Sequence, residues 1–313
     1  MRNGVFVLWL IFAAVLTFLG ARLIDNAYVF FAGYVVLQYI VLATAWNILG
    51  GYTGYVNFGI SAFFALGAYS TVVLYKLAPV LPLPAMILVG GLVSGLVGLG
   101  TGYLTLRLRG TFFSIATLAM AVVAQTLITN WNFVGGSRGA YIVRPPKAPL
   151  LGIDYIQYLF LVMLGLCVLA VGVARAIEKS RLGYGFATIR DDELAAEASG
   201  VPTLRLKLIA TALSGGFMGM AGAPLPYYVT YLDPASGFSL SYAVNTIAMP
   251  LIGGTSSWLG PILGAVLLGT LQQVATVTIS SALSLLIVGV MLVVFVIVAP
   301  QGIIGWFKPR SRR

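Results

Sequence analysis

Histidine is absent from the 313 residues, cysteine occurs once, and only eight residues are acidic. These gaps exclude a good deal of chemistry. A lone Cys167 permits no internal disulfide, and without histidine there is no Cys/His metal cluster. A thiol in an apolar run is ordinarily a small hydrophobe. No nucleophile–histidine–acid set can be assembled, which leaves Ser–Lys or carboxylate pairs as the formal routes to covalent catalysis. The phosphate-cradling pattern G-x-x-x-x-G-K-[ST] is missing as well. The chain therefore reads as a non-enzyme with no cofactor of its own.

Charge is scarce throughout. Charged residues make up 8% of the chain, against about 25% in a soluble globular protein, while 60% are hydrophobic. Ten apolar stretches fall near 5–22, 27–48, 57–75, 84–106, 111–131, 155–174, 206–229, 240–254, 259–277 and 282–300. None carries an acid or base in its interior; Arg22, Lys76 and Arg175 stand at ends. A charge at mid-membrane costs about 2.5–3.5 kcal/mol on insertion scales, so one is kept only for use. A proton relay is thus excluded, whereas sodium coupling through carbonyls and hydroxyls stays open.

What is present is the signature of a membrane. Helices rather than a barrel are expected, because stretches such as LSLLIVGVMLVVFVIVA (283–299) do not alternate in polarity. The fold class is all-α polytopic membrane protein with about ten transmembrane helices, one transmembrane domain over 1–313, and a cytoplasmic loop at 175–207. The N-terminal run resembles a secretory leader but is expected to be the first membrane helix. With Met1 inside, thirteen of the eighteen bases fall on the inner side, including Arg2, Arg107, Arg109, Lys207, Lys308, Arg310, Arg312 and Arg313. That satisfies the positive-inside rule and puts both termini in the cytoplasm. The net charge of +10 is then a matter of basic loops against lipid, not of nucleic acid. The outer loop at 132–154, with Arg138, Arg144 and Lys147, runs against the trend.

Two segments look broken. ILGGYTGYVNFG (48–59) and PLIGGTSSWLGP (250–261) each hold a Gly-Gly pair followed by an aromatic and another glycine. Breaks in corresponding positions point to two pseudo-repeated halves and a central path; two ordinary tight turns would also account for them. Uncharged polar residues near these breaks are the expected path lining: Thr53, Gly54, Asn57, Thr255 and Ser256, with Gln125 and Asn245. Gly91/Gly95 and Gly215/Gly219 have the spacing that lets membrane helices pack closely.

Five of the eight acids lie between Glu178 and Glu197. In RDDELAAEASGVP (190–202), Asp191 and Asp192 suit a helix first turn, Glu193 and Glu197 share a face, and Gly200 followed by Pro202 ends it. A helix of two to three turns is predicted, too short to stand alone in water. It packs on its own bundle or fits a groove on a partner, and a solvated connector is the further alternative.

The block SRLGYGFATIRDDELAAEASGVPTLRLKLIATALSGGFMGMAGA (180–223) resembles the M-type permease subunit of bacterial branched-chain amino-acid ABC importers. NILGGYTGYVNFGISAFFALGAY (47–69), LRGTFFSIATLAM (108–120) and AMPLIGGTSSWLGPILGAVLL (248–268) fit in the same order. The resemblance implies a permease in the bacterial inner membrane, a second homologous permease, two cytoplasmic ATP-binding subunits and a periplasmic substrate-binding protein. It makes the Arg190–Gly200 segment the coupling helix. Arg190, Asp191, Asp192, Glu193, Ala196, Glu197 and Gly200 would then meet the ATPase. Arg138, Arg144 and Lys147 would meet acids on the binding protein, or else lipid headgroups. GGSRGAYIV (135–143) departs from the family's Gly-Gly-x-Asn-Gly at Arg138. The family also moves urea and amides, and a secondary carrier or channel for such neutral solutes is the alternative.

Overall fold

The computed structural model describes residues 3–23, 26–108, 110–148, 152–278, 281–299 and 302–307. Of the bases assigned to the inner face, Arg2, Arg109, Lys308, Arg310, Arg312 and Arg313 lie outside the described residues. The helices in chain order are α1 (Asn3–Leu23), α2 (Ala27–Thr53), α3 (Ile60–Leu77), α4 (Leu83–Thr105), α5 (Thr111–Thr129), α6 (Tyr155–Glu178), α7 (Arg181–Asp191), α8 (Glu193–Ala198), α9 (Thr203–Gly222), α10 (Leu225–Val229), α11 (Pro234–Gly237), α12 (Leu240–Gly253), α13 (Leu259–Thr278), α14 (Ser281–Val298) and α15 (Ile303–Phe307). Two short strands, β1 (Ala140–Tyr141) and β2 (Tyr231–Leu232), pair antiparallel.

Among the described residues, seven helical runs are long and apolar enough to cross a membrane: α2 to α6, the run Thr203–Val229, and α13. The expected count of ten is therefore not reached on these criteria, although every expected stretch is helical. α1 and α14 have 21 and 18 residues. The stretch at 240–254 is the clear departure. Its helix α12 has 14 residues, a rise of about 21 Å, short of a hydrocarbon core of about 30 Å.

α2 is the axis of the bundle. Its 27 residues carry no charge, and it packs against α6, α9, α12 and α13. Consecutive residues Val41, Leu42 and Ala43 are all enclosed, as in a helix apolar on every side. The Asn26 side chain caps its start by accepting from the Tyr28 N–H (2.9 Å). Gly54, at φ +79°, turns the chain out of it, a conformation that L side chains rarely adopt.

α3, α4 and α9 form a tight knot through small residues. A Cβ on Gly219 would run into Ser94 and the Gly90 carbonyl, and one on Gly67 into the Gly219 backbone. Gly91 and Gly95 face Gly216 across the same seam. Ser94 Oγ donates to the Phe63 carbonyl within it (2.9 Å). This is close backbone approach of the kind small residues allow between membrane helices.

The start of α5, the ends of α2 and α12, and α7–α8 lie at one end of the bundle. The β1–β2 pair and the loop that carries Arg138 lie at the other. There Ala140 pairs with Leu232 and Tyr141 with Tyr231, so the loop after α5 is tied to the segment after α10.

Candidate functional site

The site is built from the polar hairpin outward. Ser180 caps α7, its Oγ accepting from the Gly183 N–H (3.4 Å). Phe186 and Ile189, three apart on α7, are buried under it. α7 ends at Asp191, and Asp192 opens a separate helix. With φ −161° and ψ 108°, Asp192 leaves the helical region, closes α7 through its N–H to Thr188, and caps α8 with Oδ1 accepting from the Ala195 N–H (3.0 Å). The helix expected to hold Asp191 and Asp192 in its first turn thus starts later, at Glu193, and a further helix, α7, precedes it. The reason is local: an aspartate offers its own backbone a cap, and that competes with continuing the helix.

The end of α8 follows expectation. The Gly200 N–H bonds the Glu197 carbonyl and the Val201 N–H the Ala196 carbonyl (both 3.0 Å), with Gly200 at φ +81°. These are the two bonds of a Schellman closure. Thr203 Oγ1 donates to Glu197 Oε1 (2.8 Å), which joins α8 to the start of α9.

α8 has two faces. Leu194 is 63% exposed, and Ala195, Glu197 and Ala198 are exposed beside it. Ala196, expected on the partner's side, is instead buried against the chain's own bundle. Glu193 also turns inward, with its side chain 12% exposed, and pairs with Lys207 (2.6 Å). Lys207 is itself buried, and its Nζ donates three times: to Glu193 Oε1, to Tyr55 Oη (3.1 Å) and to the Leu106 carbonyl (3.1 Å). Tyr55 Oη in turn donates to Glu193 Oε2. All three protons of the ammonium and both oxygens of the carboxylate are therefore engaged. Outside this cluster, Arg190 and Asp191 make an exposed pair at 3.5 Å, of little weight in solvent.

The two glycine segments meet beneath this hairpin. A Cβ on Gly51 would touch the Thr255 carbonyl, and one on Gly54 would touch the Arg190 side chain. A second carboxylate bridges the two segments: Glu178 Oε2 accepts from the Trp258 N–H (2.7 Å) of one and from Tyr52 Oη (3.4 Å) of the other. The expected path residues separate into groups. Thr53, Gly54, Asn57 and Thr255 come together at this end, where Gly54 and Ser256 are exposed. Thr53 and Asn57 are buried, and their polar atoms serve the turn: Thr53 Oγ1 donates to the Leu49 carbonyl (2.6 Å), and Asn57 Oδ1 accepts from the Gly59 N–H (2.7 Å). Asn245 lies deeper, donating to Tyr39 Oη and accepting from Gln272 (both 3.0 Å). Gln125, half-buried on α5, stands apart, about 12 Å along that helix from Thr117, which binds the Phe58 N–H. Thr44 on α2 and Thr246 on α12 bury hydroxyls with no hydrogen-bond partner among the described residues.

At the opposite end Arg138 and Lys147 are exposed, while Arg144 is half-buried and donates to the Tyr228 carbonyl (3.4 Å).

Lys207, Tyr55 and Glu178 were not singled out by sequence reasoning. Lys207 carried a signal nonetheless, as a lysine one turn inside an apolar helix, 14 residues after an acid.

Charge-poor helices around a central uncharged one, with a polar capped hairpin over two helix breaks, define an all-α polytopic membrane protein. Residues 28–296 match the family described as branched-chain amino acid transport system, permease component, and the chain belongs to that family. It is similar to the high-affinity branched-chain amino acid transport system permease protein LivM of Salmonella typhimurium (strain LT2), with 29% identity over 303 aligned residues, 88% of this chain and 69% of that protein. LivM of Escherichia coli (strain K12) is 28% identical over the same shares. No solved structure matches the chain.

Proposed function

We propose that this chain is the permease subunit of an ATP-driven importer of branched-chain or related amino acids in a bacterial inner membrane. It works with a second homologous permease, two cytoplasmic ATP-binding subunits and a periplasmic binding protein, and catalyses no reaction itself. The whole chain acts as one transmembrane domain, with both termini and the 175–207 loop facing the cytoplasm. One observation carries the reading: α8 is closed at both ends, seated on the bundle through Glu193, and presents Leu194, Ala195, Glu197 and Ala198 outward. A six-residue helix is unstable alone, and this one is held so as to offer a small, flat face. Such a face suits a cleft on a separate ATPase.

ATP binding closes the two ATPases and displaces α8. This shifts access only because the two arrangements of the bundle bind the ATPase pair differently. The solute path runs past the exposed Gly54 and Ser256, and the unpartnered hydroxyls of Thr44 and Thr246 are the kind of group a polar solute uses in passing. A path without fixed charge lets a zwitterion leave. Selectivity rests with the binding protein, which Arg138 and Lys147 steer through their positive charge.

Co-purification tests this. The tagged chain should bring out an ATP-binding protein, and Leu194→Arg should abolish that while the chain stays folded. If the chain purified alone drives uphill uptake in vesicles with an ion gradient, it is a secondary carrier and the proposal fails.

A further inference from the structure

The cluster around Lys207 joins four parts of the molecule that are distant in sequence. Glu193 belongs to α8, Tyr55 to the segment between α2 and α3, Leu106 to the end of α4, and Lys207 to α9. Tyr55 is further held edge-on by the Phe113 ring at the start of α5 (5.1 Å). The same segment is bound to α5 at two more points, by Ser114 Oγ donating to the Val56 carbonyl (2.8 Å) and the Phe58 N–H donating to Thr117 Oγ1 (3.0 Å).

Consider what moving α8 entails. Lys207 is 3% exposed, so water is not at hand to replace a lost partner. Separating Glu193 from it would leave two charges uncompensated in a poorly solvated place, the expensive way to break an ion pair. Moving α8, Lys207 and Tyr55 as one body avoids that cost. Tyr55 is one residue from Gly54, the hinge at φ +79° that ends α2. The exposed Arg190–Asp191 pair cannot do this work, because solvent substitutes freely for either partner.

We propose that Lys207, with Glu193 and Tyr55, is the transmission link that passes displacement of α8 into the α2–α3 glycine segment. Lys207 is a positioning residue: it touches neither nucleotide nor solute. The inference rests on α8 being the ATPase contact, and the experiment separates the two.

The complete transporter, with its ATPases and binding protein, is reconstituted in proteoliposomes and fed radiolabelled leucine. Three quantities are measured: ATPase bound per permease, hydrolysis stimulated by the binding protein, and leucine accumulated per ATP hydrolysed. Tyr55→Phe keeps the ion pair and removes only the hydroxyl. It should assemble normally yet fall about tenfold in leucine per ATP. Lys207→Met should fall at least as far, Glu193→Gln/Lys207→Met no further than Lys207→Met, and Lys207→Arg should recover part of the loss. If Lys207→Met does not fold, Tyr55→Phe decides alone. A role confined to the fold would lower assembled complex and uptake in proportion and leave leucine per ATP unchanged; that result overturns the proposal. If Leu194→Arg retains bound ATPase, the reading of α8 falls and this link with it. If Leu194→Arg loses the ATPase but Tyr55→Phe transports with normal leucine per ATP, the link alone falls.

Discussion

Two caps decide whether α8 exists as a helix, and their removal has a calculable effect. Asp192→Ala deletes the acceptor for the Ala195 N–H, a loss of about 1 kcal/mol for an N-cap. Gly200→Ala puts a Cβ at φ +81°, which costs roughly 1 kcal/mol once the unfolded state's lost entropy is credited. Either change makes opening of α8 about fivefold more frequent. Both together should approach 2 kcal/mol, about 30-fold, because they act at opposite ends of one cooperative unit. Amide hydrogen exchange reads this directly. The amides of Ala196, Ser199 and Val201, which bond the carbonyls of Asp192, Ala195 and Ala196, should exchange faster by those factors. Amides in the middle of α2 should not change, since opening of a peripheral element is sub-global. Asp192→Asn retains an acceptor and should stay near wild type. Unchanged exchange in the double variant, or equal acceleration in α2, would refute the idea that these caps hold a locally folding unit.

Three further outcomes follow from the same geometry. Glu178→Ala orphans the Trp258 N–H, so the α12–α13 segment should loosen by about 1.5–3 kcal/mol; a cysteine at Ser256, with Cys167→Ala, should then react faster with a thiol reagent, and no change in rate would count against the clamp. Gly219→Leu overpacks the α4–α9 seam and should destabilise by about 1–3 kcal/mol in a thermal melt or prevent folding, whereas Gly165→Ala, where a Cβ would meet nothing within 4 Å, should be neutral. Burial pushes the Asp233 carboxyl up, but hydrogen bonds from the Ser236 hydroxyl and N–H outweigh it and hold the group below its ordinary value. A lowered folded value stabilises fully above about pH 3.9 and is lost as pH falls through it, so the melting difference between wild type and Ser236→Ala should close in acid; a difference that persists there refutes the assignment.

Much of this was legible in residue order, for physical reasons. Apolar runs specify membrane helices whatever surrounds them, and Gly200 with Pro202 can only end α8. The bounds of α12 were legible, since the run expected at 240–254 nearly coincides with Leu240–Gly253; the count of ten overlooked that such a run is shorter than the ~20 residues a membrane helix needs. Asp192 was expected inside the first turn of α8 rather than at its cap because an aspartate suits both equally well, and α7 before it was not foreseen. The inward turn of Glu193 was hidden for a different reason. Helical spacing puts Glu193 and Glu197 on one face, but only the tertiary approach of Lys207 and Tyr55 decides that one faces in and the other out.

That division of labour among the acids bears on how an uncharged bundle can be driven at all. Of the five acids between Glu178 and Glu197, two turn inward: Glu193 grips the first glycine segment through Tyr55, and Glu178 grips both, the first through Tyr52 and the second through Trp258. Dispersion contacts along a Gly-rich seam are individually weak and slide readily. An ion pair with every donor and acceptor occupied resists separation over the small displacements a helix makes. Placing both grips at the end nearest α8 leaves the solute's route free of charge while giving the hairpin a firm hold on each helix break. If that is the reason for the arrangement, the two grips act in parallel: Tyr55→Phe and Glu178→Gln should each lower leucine per ATP, and together should abolish coupling while ATP hydrolysis continues. A double variant that couples as well as either single would mean that one grip alone moves the bundle.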